Sequence, residues 1–324
     1  MRTSNVLEAR RIGARKQLGL ATLLLITALA LFAGRANAFS NLYVFGDSLS
    51  DTGNVFINNG IPIAPYDNGR FSNGPVWVET LASGLGLSAA PVSGGGTNFA
   101  FGGAPTGLPV PPQASPSLVD QVNGLYLPAV GGVADPNGLY VVFGGGNDIR
   151  AGVVSGTAGN IGSIIDTLYA AGARNFLVPN LPDIGLTPEA IGFGPAAQMQ
   201  ATAASQFVNA GIASEIADAR ATLAGITIFD VDTFGFLNAV IANPASVGIS
   251  NVDTACYDGT LGVGGPGSVC GNPDEYVFWD GIHPTAKAHQ LLGEFALAQI
   301  PVPAAVWLFG SAIGLLGFAR RKVA

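Results

Sequence analysis

The chain has two histidines, and one of them closes a short motif, Asp280-Gly281-Ile282-His283-Pro284. Histidine is the natural base at neutral pH. A carboxylate three residues upstream, with glycine between and proline after, can turn back onto the imidazole, fix its tautomer and stabilise its charged form. Such a base activates a serine hydroxyl, which is a poor nucleophile until its proton is removed. Ser48 suits that role because it stands directly after a short apolar run, Leu42-Tyr43-Val44-Phe45, that stops at Gly46-Asp47. Attack on a carbonyl creates an oxyanion that needs donors. The Ser48 N–H, a glycine N–H and the Asn147 side chain in Gly144-Gly145-Gly146-Asn147-Asp148 can supply them. Each block alone also reads as a turn or a capped helix start; three in this order, each at a strand or loop end, point to nucleophilic acyl chemistry.

These residues must be brought together by the elements between them. Apolar runs at 42–45, 139–143, 175–179 and 226–231 predict strands buried on both sides. Helices are predicted over Pro75–Leu85, Ala158–Ala171, Pro195–Leu223 and Thr285–Gln299, with prolines at first-turn positions where no N–H is needed. Strands alternating with helices give an α/β domain with a parallel sheet covered on both faces, and chemistry in such sheets gathers at the carboxyl ends of the strands. The Gly- and Pro-rich stretch 90–116 reads as one long loop. Asp47, Asp51 and Asn54 read as residues that hold the serine turn, and Asp148 as one that fixes its own loop. His289 reads as a surface or satisfied core histidine, Trp77 as core, and Asp183 as a turn residue or a border of the site.

Charge is unevenly distributed. Residues 39–300 hold five basic and 20 acidic side chains, a formal charge of −15 against −7 for the whole chain. That field excludes nucleic-acid binding as a main role. The basic residues concentrate at the ends. Residues 1–38 combine a basic start, the apolar run 18–33 and Ala36-Asn37-Ala38, and read as a cleaved secretory signal, with an uncleaved anchor as the alternative. At the other end, an 18-residue apolar stretch, Val302 to Ala319, precedes Arg320-Arg321-Lys322. It reads as one membrane crossing with its basic end inside; a buried C-terminal helix is the alternative. Cys256 and Cys270, the only cysteines, lack the neighbours a metal site needs. In an oxidising compartment they are expected to pair, closing a glycine-rich loop for about 3 kcal/mol of stability and steadying the Asp280–His283 loop.

The blocks FGDSLSDTGN, NGRFSNGPVWVE, TNFAFGGA, VFGGGND and WDGIHPT resemble, in order, those of the GDSL lipase/esterases of the SGNH-hydrolase superfamily. The resemblance runs from about Leu42 to Phe295. It implies a three-layer α/β/α sandwich with a flavodoxin-like parallel sheet of about five strands. It also implies Ser48 as nucleophile, His283 as general base, Asp280 as its orienting partner and Asn147 as side-chain oxyanion donor, with no cofactor. The backbone donor falls on Gly102 or Gly103, with Gly103, five residues after Asn98, preferred. The last 25 residues resemble PEP-CTERM sorting signals of Gram-negative, exopolysaccharide-producing bacteria, with Pro301-Val302-Pro303 where the namesake has Pro-Glu-Pro.

The sequence therefore predicts a signal (1–38), a hydrolase domain (39–300) and a sorting segment (301–324). The protein is expected at the cell surface or in the extracellular matrix, with export and sorting machinery as partners and the C-terminal segment in the membrane before processing. Its expected activity is that of a serine esterase or lipase favouring neutral esters. Carbohydrate O-deacetylation, acyl transfer and a non-catalytic surface role are the alternatives, and substrate specificity is expected from loops 58–68 and 102–116.

Overall fold

Four pentapeptides with little side-chain polarity form the centre of the structure, a computed structural model that describes residues 39–107 and 115–301. They are β1 (Leu42–Gly46), β2 (Leu139–Phe143), β3 (Asn175–Pro179) and β4 (Thr227–Val231), hydrogen-bonded in the order β1-β2-β3-β4. All pairs are parallel, with Leu42 opposite Leu139 and Asn175 opposite both Leu139 and Thr227. Every residue of β2 is buried, which is why LYVVF shows no polar alternation. Strand β4 closes one edge and exposes Thr227 and Asp230.

The other edge corrects the reading of 90–116 as one loop. Phe99 donates its N–H to Val44 O at 2.7 Å and Phe101 to Gly46 O at 3.1 Å, so residues 97–101 run beside β1 as a fifth, irregular strand. Counted in chain order, the five segments lie 2-1-3-4-5, the flavodoxin-like arrangement. The segment holds Gly102 and Gly103 just beyond it, and such glycines mask a strand in the sequence.

Helices cover both faces. Side chains of β2 alternate: Phe143 meets Trp77 of α1 (Trp77–Leu85) edge-on at 5.7 Å, whereas Tyr140 meets Tyr126 at 5.9 Å on the opposite face. Helix α1 packs on α5 (Ala286–Ala298), and α2 (Thr157–Ala171) packs on α3 (Pro195–Thr222). A further helix, α4 (Thr233–Ala242), lies against α5 through Phe236 and Phe295, 5.2 Å apart.

The chain from 243 to 285 departs most from expectation. It contains a second small parallel sheet, β5 (Asn251–Ala255) beside β6 (Tyr276–Phe278). Strand β6 ends directly before Trp279-Asp280, and Trp279 N–H bonds to His283 O at 2.7 Å, so the motif is a tight turn between a strand and α5. Phe39–Ile300 forms one compact unit. The proposed signal (1–38), most of the sorting segment and the apolar stretch Val302 to Ala319 lie outside the described residues. Among the described residues no helix is long and apolar enough to cross a membrane.

Candidate active site

Strand β1 delivers Ser48 into a turn in which the N–H groups of Ser50 and Asp51 both bond to Asp47 O at 3.0 Å. The β6–α5 turn delivers His283 from the opposite side. His283 Nε2 lies 2.9 Å from Ser48 Oγ, across 235 positions of sequence, and His283 Nδ1 lies 2.6 Å from Asp280 Oδ2. An ionised carboxylate only accepts, so Nδ1 carries the proton and Nε2 presents its lone pair to the serine hydroxyl. The other Asp280 oxygen accepts the N–H groups of Ile282 (2.9 Å) and His283 (2.8 Å). Burial alone would raise the Asp280 carboxyl; the adjacent His283, its hydrogen bond, Tyr66 and the Ile282 N–H outweigh this and hold it at about 2. The carboxylate is thus fixed in its charged form at neutral pH.

Around Ser48 three donors face inward or stand free. Gly102 N–H is committed to Asp51 Oδ2 at 2.9 Å. The N–H groups of Gly103 and Ser48 have no partner among the described residues. Gly103 adopts φ +78°, a left-handed geometry that suits glycine. Gly102 is required for another reason: a Cβ there would stand 2.2 Å from the Phe71 ring. Asn147 follows β2 and lines the same pocket as Ser48 and His283. One proton of its amide goes to Ala104 O at 3.1 Å, which aims the side chain and leaves the second proton for a ligand.

The polar neighbours hold loops. Asp51 gathers the N–H groups of Gly53, Asn54, Val55 and Gly102, and Asn98 spans Ser50 O and Thr52 Oγ1. Asn54 donates to Asn98 O and Ala100 O, both at 2.8 Å. Together they fasten the serine turn to the fifth strand. Asp47 accepts the Leu49 N–H at 3.0 Å; burial raises its carboxyl to about 6, against the opposing pull of that hydrogen bond and of His283. Asp148 binds Thr106 N–H and hydroxyl and so fixes the stretch beside Ala104. Asp183 caps its own turn through Gly185 N–H and Thr202 Oγ1. Trp77 is core, its indole N–H on Ser50 Oγ at 3.0 Å.

Two groups, Tyr66 and Phe71, escape sequence reasoning. Tyr66 donates to Asp280 Oδ2 at 2.5 Å while accepting the Gly262 N–H at 2.7 Å; burial and the adjacent carboxylate push its phenol well above the usual range. Phe71 packs against the His283 ring at 5.3 Å. The two residues after it clamp the histidine turn: Ser72 Oγ donates to Pro284 O and Asn73 Oδ1 accepts the Ala286 N–H. His289 is a core histidine, as one of the expected readings has it, but satisfied at one nitrogen only. It is 1% exposed, with Nδ1 accepting the Trp77 N–H at 3.3 Å and Nε2 lacking a partner among the described residues. Burial, then the charge of His283, lowers it to about 3.

Cys256 and Cys270 form a disulfide. The loop they close lies against the site: Val263 O accepts Ile63 N–H at 2.8 Å, Gly265 N–H donates to Ala64 O at 2.9 Å, and Tyr257 stacks on Trp279 at 5.6 Å.

A serine, histidine and aspartate linked in series at the carboxyl edge of a flavodoxin-like sheet define the class, a serine hydrolase of the three-layer α/β/α type. The chain belongs to the GDSL-like lipase/acylhydrolase family, whose model matches residues 42–296. It is similar to Lipase 1 of Photorhabdus luminescens, 28% identical over 86% of this chain and 52% of that protein. Esterase EstA of Pseudomonas aeruginosa is 29% identical over 82% of this chain and 47% of that protein. The chain thus spans about half the length of these two relatives. The phosphatidylcholine-sterol acyltransferase of Aeromonas hydrophila is 26% identical over 81% of this chain and 90% of that protein. A solved structure of a lipolytic G-D-S-L protein from Veillonella parvula matches with a TM-score of 0.46 and 16% identity, covering 80% of this chain and 96% of that chain.

Proposed function

We propose that the protein hydrolyses carboxylic esters through an acyl-enzyme, and the continuous line from Asp280 through His283 to Ser48 carries this reading. Ser48 Oγ attacks the ester carbonyl as its proton passes to His283 Nε2. The N–H groups of Ser48 and Gly103 and the amide of Asn147 receive the oxyanion. The imidazolium then returns the proton to the leaving alkoxy oxygen and the alcohol departs. Water enters, gives a proton to His283 and attacks the acyl carbon; collapse releases the acid and restores the Ser48 hydroxyl. Asp280 holds the tautomer and the charge throughout. Family membership supports the ester bond as the target.

Transfer to an alcohol, including a carbohydrate of an exopolysaccharide matrix, is the second reading. The similarity to a protein named an acyltransferase supports it, because the same acyl-enzyme can be opened by an alcohol in place of water. The charge of −15 on residues 39–300 favours neutral esters over anionic lipid surfaces. Residues 1–38 support export, and the tail supports sorting to the cell surface; mass spectrometry of the mature protein from its host tests both ends. For the chemistry, a serine-directed fluorophosphonate labels the wild type and not Ser48→Ala, and ester turnover falls by at least ~10³-fold in Ser48→Ala. Near-normal hydrolysis by that variant overturns the assignment. Product analysis with a sugar acceptor separates transfer from hydrolysis.

A further inference from the structure

The pocket holding Ser48, His283 and Asn147 lies between two spaces of different character. Leu49, Ile184, Thr187 and Ile282 line it and also line an apolar cavity, about 80 Å³ in volume, that reaches Phe236, Leu237 and Val240 of α4 and Leu291 of α5. Leu49 and Ile282 are the sequence neighbours of the nucleophile and the base, so the cavity adjoins the pocket of the reacting atoms across a shared apolar wall. On another side, Asn147, Arg150, Ile184 and Thr187 are shared with an open groove of about 800 Å³. Glu189, Phe193 and Gln200 line that groove, with Arg150 bonded twice to Glu189, at 2.7 and 2.8 Å.

We propose that the apolar cavity binds the acyl chain and selects short acyl groups of about three to five carbons, while the groove receives a large alcohol. This rests on the serine-esterase reading. In an acyl-enzyme sequence the alcohol leaves first and water follows its path, so the open side serves the alcohol. The acyl group stays through both steps and gains from an enclosed apolar wall. Size sets the chain length. An apolar cavity of ~150 Å³ accommodates the six carbons of benzene, so a cavity about half as large suits roughly three carbons beyond the carbonyl. A butanoyl group fits that space, and an octanoyl chain overruns it. On this proposal acyl-chain length is read by α4, α5 and residues 182–187.

The test is a p-nitrophenyl ester series from acetate to octanoate, measured as kcat/KM on the full chain. Burial of a methylene, ~0.8 kcal/mol, is about fourfold, so butanoate exceeds acetate by about 15-fold and octanoate falls at least tenfold below butanoate. Val240→Phe fills the cavity and brings the butanoate-to-acetate ratio close to one. Leu237→Ala enlarges it and moves the optimum to a longer chain, which keeps the test decisive if the larger side chain impairs folding. A wild-type optimum at octanoate, or the same chain-length profile in wild type and variants, overturns the cavity assignment. Those outcomes leave the esterase reading intact, since that reading fails only if Ser48→Ala retains ester turnover.

Discussion

His289 ties stability to pH in a way that can be calculated and checked. Its Nδ1 accepts the Trp77 N–H, so the neutral ring carries its proton on Nε2, enclosed and without a partner among the described residues. A second proton would charge the ring in an apolar setting, and burial lowers its folded value to about 3 from an ordinary 6.5. A depressed histidine binds its proton in the unfolded chain first. Stability is therefore fully present above about pH 6.5 and falls as pH drops toward 3, at about 1.4 kcal/mol per unit. Between pH 7.5 and 4.5 this one residue removes about 3 kcal/mol. His289→Gln keeps a carbonyl acceptor for Trp77 and cannot titrate. Urea unfolding of wild type and variant, followed by tryptophan fluorescence at both pH values, isolates the term: Asp47 and Asp51, buried carboxyls with raised values, are present in both proteins. The wild type should lose about 3 kcal/mol more than the variant over that interval. Parallel losses, within about 0.5 kcal/mol, refute the argument even if the variant is weaker at neutral pH.

Three further outcomes follow from the site. Tyr66→Phe removes a donor from Asp280 Oδ2, leaving a more basic carboxylate that holds the imidazolium more strongly. The acid limb of kcat/KM should move to higher pH with kcat reduced no more than about tenfold; an unshifted limb removes Tyr66 from the relay. Asn147→Ala deletes an oxyanion donor and should lower kcat by ~10²–10³-fold with KM little changed, measured at steady state on the preferred ester. Replacing Cys256 and Cys270 together by serine should cost about 3 kcal/mol, roughly 6–10 °C in Tm. Turnover should fall with it, because the Gly262 N–H positions Tyr66; unchanged calorimetry and turnover would separate the bridge from the site.

How much of this was legible in the sequence depends on whether a signal was local. β2 coincides with its apolar run at Leu139–Phe143, since a strand buried on both faces has no polar residue to blur it. Helix α3 starts at Pro195 as its first-turn proline requires. The fifth strand was hidden because Gly94, Gly95 and Gly96 before it and Gly102 and Gly103 after it read as loop. β6, at three residues, is shorter than any periodicity can reveal. Ser48, Asp280, His283 and Asn147 could be named because their residue types are scarce and their strand ends visible. Tyr66 and Phe71 could not, since an aromatic side chain gives no sign of whether its hydroxyl or ring face will meet a residue some 200 positions away. Asp51 marks the choice between Gly102 and Gly103: only the fold shows that its carboxylate occupies the Gly102 N–H.

The 235-position separation of Ser48 and His283 has a consequence for timing. The nucleophile follows β1 and the base sits in the turn before α5, and α1 packs on α5. A growing chain carries the serine but not its base, and the cavity wall supplied by α5 does not yet exist. On the proposed reading, ester cleavage therefore begins only when α5 docks. On that reading the polypeptide stays inert until residues 39–300 are folded together.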